Sequence, residues 1–61
     1  MRDPNRIDGI LAKVKEMWEK YPDLRLGQLL SNAVGEGWLY YVEDDSLIDE
    51  MEKLYLGDSH E

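Results

Sequence analysis

The chain has 61 residues, no cysteine, and 14 acidic against 7 basic side chains, for a net charge of −7. That length allows one domain, which buries only about 60% of the surface its unfolded chain exposes. The missing cysteines exclude disulfide staples, thiolate catalysis and cysteine-based zinc sites, so folding rests on packing or on association. The negative charge disfavours long-range attraction to nucleic acid phosphates and to anionic lipid. The opening residues hold no apolar signal core, and no apolar run reaches the roughly 18 residues of a membrane span. The expectation is a soluble, unprocessed, cytoplasmic chain. Its charge is uneven: residues 1–31 carry six basic and five acidic side chains, and residues 32–61 carry one basic and nine acidic.

In chain order, Asp3 followed by Pro4 reads as a helix start, with the carboxylate accepting a backbone N–H and proline in the first turn. A helix is predicted over about 4–20. Ile7, Ile10, Leu11, Val14, Met17, Trp18 and Tyr21 recur at three- and four-residue steps and share one face. Glu16 and Lys20 stand in the favourable order for an exposed ion pair. Gly9 weakens the first turns, or marks a close neighbouring backbone.

Pro22 pushes Tyr21 out of the helical region and stops this helix near Lys20. Asp23 can cap a second helix, predicted over 25–34, whose stripe is Leu26, Leu29, Leu30, Ala33 and Val34 and which Gly35 ends. Gly27 inside it suggests close helix approach. After Gly35, Glu36 and Gly37, the aromatic and β-branched residues 38–42 favour an extended segment. A lone strand leaves its backbone groups unpaired, so it either packs across the helices or pairs with a strand of another copy or of a partner. Asp44, Asp45 and Ser46 then cap a third helix over about 45–56, with Leu47, Ile48, Met51, Leu54 and Tyr55 facing inward. Gly57 ends it, and residues 58–61 read as a disordered tail. The expected fold is mainly α: a single three-helix domain over 1–57 with one short extended aromatic segment between the second and third helices.

Trp18, Lys20, Pro22, Asp23, Leu26, Gln28 and Leu30, followed by Asp44, Asp45, Leu47 and Ile48, form the pattern W-x-K-x-P-D-x-x-L-x-Q-x-L and then D-D-x-L-I. The pattern resembles the YihD-like family of small bacterial proteins and covers roughly residues 18–51. The resemblance implies a compact, mainly helical protein of uncharacterised role, with relatives among phage-encoded small proteins and an accessory or regulatory part to play. It brings no catalytic residue.

Few residues suggest chemistry. The acids Glu43, Asp44, Asp45, Asp49, Glu50 and Glu52 lack the glycine-turned loop of a calcium site, and so short a chain hardly forms the cleft of a two-carboxylate glycosidase. They read as a cap and a solvated helix face, or as an acidic surface that docks on a basic partner. His60 has no second imidazole, Ser31 and Ser46 have no nucleophile motif, and no phosphate loop occurs. No catalytic, cofactor or metal residue is expected. Arg25 and Gln28 read as structural polar residues beside Asp23, with Arg25 pairing to Asp23 or to an acid of the last helix and Gln28 bonding loop backbone.

Trp38, Tyr40 and Tyr41 are the candidate interface, with Asp44, Asp45, Asp49 and Glu50 beside them. In an extended segment Trp38, Tyr40 and Val42 face one way and Leu39 and Tyr41 the other, so one set either lines the rim of the core or meets a partner. Three functional expectations follow. The leading one is a non-enzymatic, self-associating protein-interaction module, a homodimer that binds a protein through residues 38–45 and the acids after them. The second is an acidic inhibitor that mimics nucleic acid to block a host protein, resting on the acidic half. The third is a helix-turn-helix DNA regulator using Arg25 and the basic residues of the first helix, which the leucine-rich second helix and the net charge disfavour.

Overall fold

The structure is a computed structural model in which residues 3–57 are described. Its elements are four helices: α1, Arg6–Lys20; α2, Leu26–Val34; α3, Glu36–Leu39; and α4, Asp44–Tyr55. No strand occurs among the described residues. The chain is therefore mainly helical, and the predicted tail and His60 lie outside the described residues.

The ends of the helices show how the local sequence works. Asp3 Oδ1 accepts the Asn5 N–H at 2.9 Å, and the Asp3 and Pro4 carbonyls accept from Arg6 and Ile7, so residues 3–7 form a turn. Helix α1 begins at Arg6, two residues later than Pro4 suggests. It stops at Lys20 because Tyr21, placed before proline, leaves the helical region at φ −133° and ψ 63°. Asp23 does not cap α2. That position falls to Arg25, extended at φ −75° and ψ 154°, and Gln28 Oε1 accepts the Arg25 N–H at 2.9 Å. This is the reciprocal half of a capping box, with the amide three residues into the helix reaching back. Gly35 ends α2 at φ 84°, a conformation that costs a residue without Cβ nothing.

The predicted extended segment over 38–42 is replaced by a helical turn. Trp38 N–H donates to the Gly35 carbonyl, and Tyr41 and Val42 N–H both donate to the Trp38 carbonyl. The physical reason is pairing: a strand with no neighbour leaves its donors and acceptors unmet, whereas a turn satisfies them within the segment. The described residues thus form four helices rather than the three expected. Helix α4 starts at Asp44, directly after the extended Glu43, and its first-turn acids Asp44 and Asp45 suit the positive end of the helix dipole.

Helix α4 packs against both α1 and α2, and α3 packs against α2. The core is where the first three of these meet: Met17 of α1, Leu29 of α2, and Ile48, Met51 and Tyr55 of α4 are buried. Ile10, Val14, Trp18, Leu24, Leu30, Ala33 and Leu47 pack around them, and no residue of α3 takes part. Polar atoms brought inward find partners, as burial requires. The Trp18 indole N–H donates to the Leu24 carbonyl at 2.8 Å, which fastens the end of α1 to the turn before α2. The Tyr21 and Tyr55 rings tilt against each other at 5.4 Å.

Two further expectations change. Gly27 does not mark a close approach, and neither does Gly9: a Cβ at either position would meet nothing within 4 Å. On the exposed side of α1 the ion pair is Lys15 with Glu19, at 2.6 Å, rather than Glu16 with Lys20. None of the described helices is long and apolar enough to cross a membrane.

Candidate functional site

Gly35 turns the chain sharply out of α2, and the short α3 with the turn after it carries Trp38, Tyr40 and Tyr41 away from the core. Trp38, Tyr40 and Tyr41 are 68%, 87% and 70% exposed. Residues packed for stability alone do not remain so open, since each large ring left in water forfeits its burial energy. Tyr40 and Tyr41 meet edge to face, with centroids 5.1 Å apart and planes at 80°. The helical turn also regroups these side chains. Trp38, Tyr41 and Val42 share one shallow groove of about 440 Å³ with Ala33, Ser46 and Glu50, and Leu39 is half-buried. The alternation expected of a strand, with Trp38 and Tyr41 on opposite faces, does not hold.

The acids divide between two places. Glu50 lines the aromatic groove and lies 3.9 Å from Lys53, which also reaches Asp49 at 3.3 Å. Asp44, Asp45 and Asp49 border a separate groove of about 650 Å³ between α1 and α4. There Arg6 Nε donates to Asp44 Oδ2 at 2.7 Å, and Lys13 stands 3.4 Å from Glu52, so two cations of α1 bind two acids of α4. Asp45 Oδ1 accepts the Ser46 N–H at 2.8 Å. These pairs are solvent-exposed and contribute about 0–1 kcal/mol each. Residues 36–50 nonetheless hold six acids and no lysine or arginine, which leaves the aromatic face in a negative field.

Arg25 makes no ion pair among the described residues, neither with Asp23 nor with an acid of α4. Gln28 bonds backbone as expected, at Arg25. No group of three or more histidine, cysteine, aspartate or glutamate side chains is placed to hold a metal ion among the described residues. The Lys15 amine is held above its ordinary value by the hydrogen bond it donates to the Glu19 carboxylate and then by that carboxylate's charge.

A third surface has no counterpart in the expectations. Leu11, Val14, Trp18, Pro22 and Leu26, with the charged pair Lys15 and Glu19, line a largely apolar groove of about 510 Å³ between α1 and the start of α2. The signal was present in the breadth of the apolar stripe on α1, which is wider than one neighbouring helix covers.

Comparison with protein-family models, with curated proteins and with solved structures found no match to this chain. The fold and surfaces define a small helical protein with an exposed aromatic face bordered by acids.

Proposed function

We propose that the chain is a non-enzymatic protein-interaction module, self-associating and regulatory in role, whose working surface is the aromatic turn at Trp38, Tyr40 and Tyr41 with Glu50 and the acids of α4 beside it. One observation carries this reading: three large aromatic side chains stand in solvent on an element that gives nothing to the core. Aromatic residues are the side chains that most often dominate binding energy when a partner covers them. The negative field around them favours a partner with lysine or arginine at its contact surface, drawn by long-range attraction and held by cation–π contact with the rings. The resemblance to the YihD-like family belongs to this proposal, and supports a helical accessory protein without catalytic residues.

The test is a photo-crosslinking amino acid at position 40, used in the native cell, with crosslinked proteins identified by mass spectrometry. A defined partner with a basic surface, lost when Trp38 and Tyr41 are both changed to serine, supports the reading. Recovery of the same proteins with that double variant, or of none, overturns it. The double variant retains its melting temperature if the aromatic turn is surface and not scaffold.

A further inference from the structure

Helix α1 carries more apolar surface than the core uses. Met17 is buried and Ile10, Val14 and Trp18 pack against the core, whereas Ile7 and Leu11 stand in solvent, Leu11 at 59%. Ile7, Leu11, Val14 and Trp18 follow one another at steps of four, three and four residues. That spacing holds an apolar seam along one side of a helix, facing a second helix. Pro22 and Leu26 widen the seam into the groove between α1 and α2.

We propose that this groove receives α1 of a second copy of the chain, packed antiparallel about a two-fold axis. The pairing is self-complementary, as a two-fold interface must be. It sets Ile7 against the partner's Trp18 and Leu11 against the partner's Val14, so that every layer of the seam is apolar on both sides. Charge selects the direction. The residues flanking the seam on the side away from the core are Asp8 and Lys15. In the antiparallel register each Asp8 lies beside the partner's Lys15, which gives two opposite-charge contacts. A parallel pair would bring Lys15 beside the partner's Ile10 and would match no charges. Asp8 makes no ion pair among the described residues. Lys15 exchanges its exposed contact with Glu19 for the partner's Asp8 at little cost.

The inference rests on the self-association in the reading above and locates it on α1. It is independent of what the aromatic turn binds, because the two grooves share no residue.

Sedimentation equilibrium of the full chain from micromolar to millimolar concentration tests it, with circular dichroism to verify that each variant is helical. The wild type is expected to approach twice the 7.2 kDa of one chain. Leu11→Gln, a good helix former at an exposed position, is expected to stay at the mass of one chain. Asp8→Lys and Lys15→Glu each place like charges together and weaken self-association by about tenfold or more. An equimolar mixture of those two single variants restores opposite charges at both contacts and dimerises, as does the double variant Asp8→Lys with Lys15→Glu. A wild type that stays at one chain's mass at millimolar concentration overturns the proposal. So do charge variants that associate as the wild type does, or a dimer that survives Leu11→Gln and is lost in Trp38→Ser with Tyr41→Ser. The last result moves self-association to the aromatic turn and leaves the crosslinking result as a separate question.

Discussion

The Tyr55 hydroxyl of α4 donates to the Leu29 carbonyl of α2 at 2.6 Å in the buried centre of the domain. It is the one polar cross-link between helices within the core that the described residues show, and Leu29 is itself fully buried. Its carbonyl has a second lone pair beyond the one the helix uses, and the tyrosine fills it. Tyr55→Phe keeps the ring against Tyr21 and deletes only this bond. A loss of about 1 kcal/mol is expected in urea unfolding, with an unchanged slope against denaturant.

Met51 is fully buried between the helices it joins. Met51→Ala removes packing on both sides of α4 and is expected to cost about 2–5 kcal/mol. That is comparable with the whole stability of so small a domain, roughly 5 kcal/mol. Circular dichroism should show a largely unfolded chain at room temperature. Met51→Leu, close in volume, should remain folded with a loss under about 1.5 kcal/mol.

Two glycines are expected to respond in opposite directions. At Gly27 the backbone is helical and a Cβ has open space, so Gly27→Ala should raise stability by about 0.5–1 kcal/mol. At Gly35, φ is 84° and ψ 149°, a positive-φ extended conformation that is nearly confined to glycine, and Gly35→Ala should lower stability by about 1–3 kcal/mol even though the space around it is equally open. Paired thermal unfolding curves, one midpoint moving up and one down, check both.

Lys15 should titrate above the ordinary lysine range because Glu19 holds its proton. A folded-state value raised above the unfolded one means that the contact favours the folded chain below the unfolded lysine value and ceases to do so as pH rises through the folded value. Nitrogen-detected NMR of the lysine side chain in the single-chain Leu11→Gln variant should show the raised titration, and adding Glu19→Gln should lower it. The group is fully exposed, so the melting temperature at neutral pH should not change measurably.

Three helices are legible from residue spacing. Met17, Leu29, Ile48, Met51 and Tyr55, which form the buried core, all belong to the apolar stripes read from the sequence. The aromatic turn is not legible in the same way. Trp38, Leu39, Tyr40, Tyr41 and Val42 have the composition of a strand, and composition carries no information about whether a partner strand exists; with none present, the backbone closes its bonds locally. Helix starts are displaced for a related reason. Asp3, Asp23 and Asp45 are good capping side chains, but Asn5, Arg25 and Glu43 take the cap positions, because tertiary placement of the turns decides which residue stands at the boundary. The solvent-facing part of α1 is hidden by the opposite difficulty. Ile7 and Leu11 share a stripe with Met17, and only the rotation of α1 against α4 determines which edge of that stripe stays open.

Helix α3 touches α2 and lies outside the core. Replacements at Trp38, Tyr40 and Tyr41 therefore draw little on the narrow margin that keeps so short a chain folded, whereas replacements at Met17, Leu29 or Met51 draw on it heavily. For folding the two sets of positions are decoupled: the aromatic turn can be altered to suit a partner without repacking the interior beneath it.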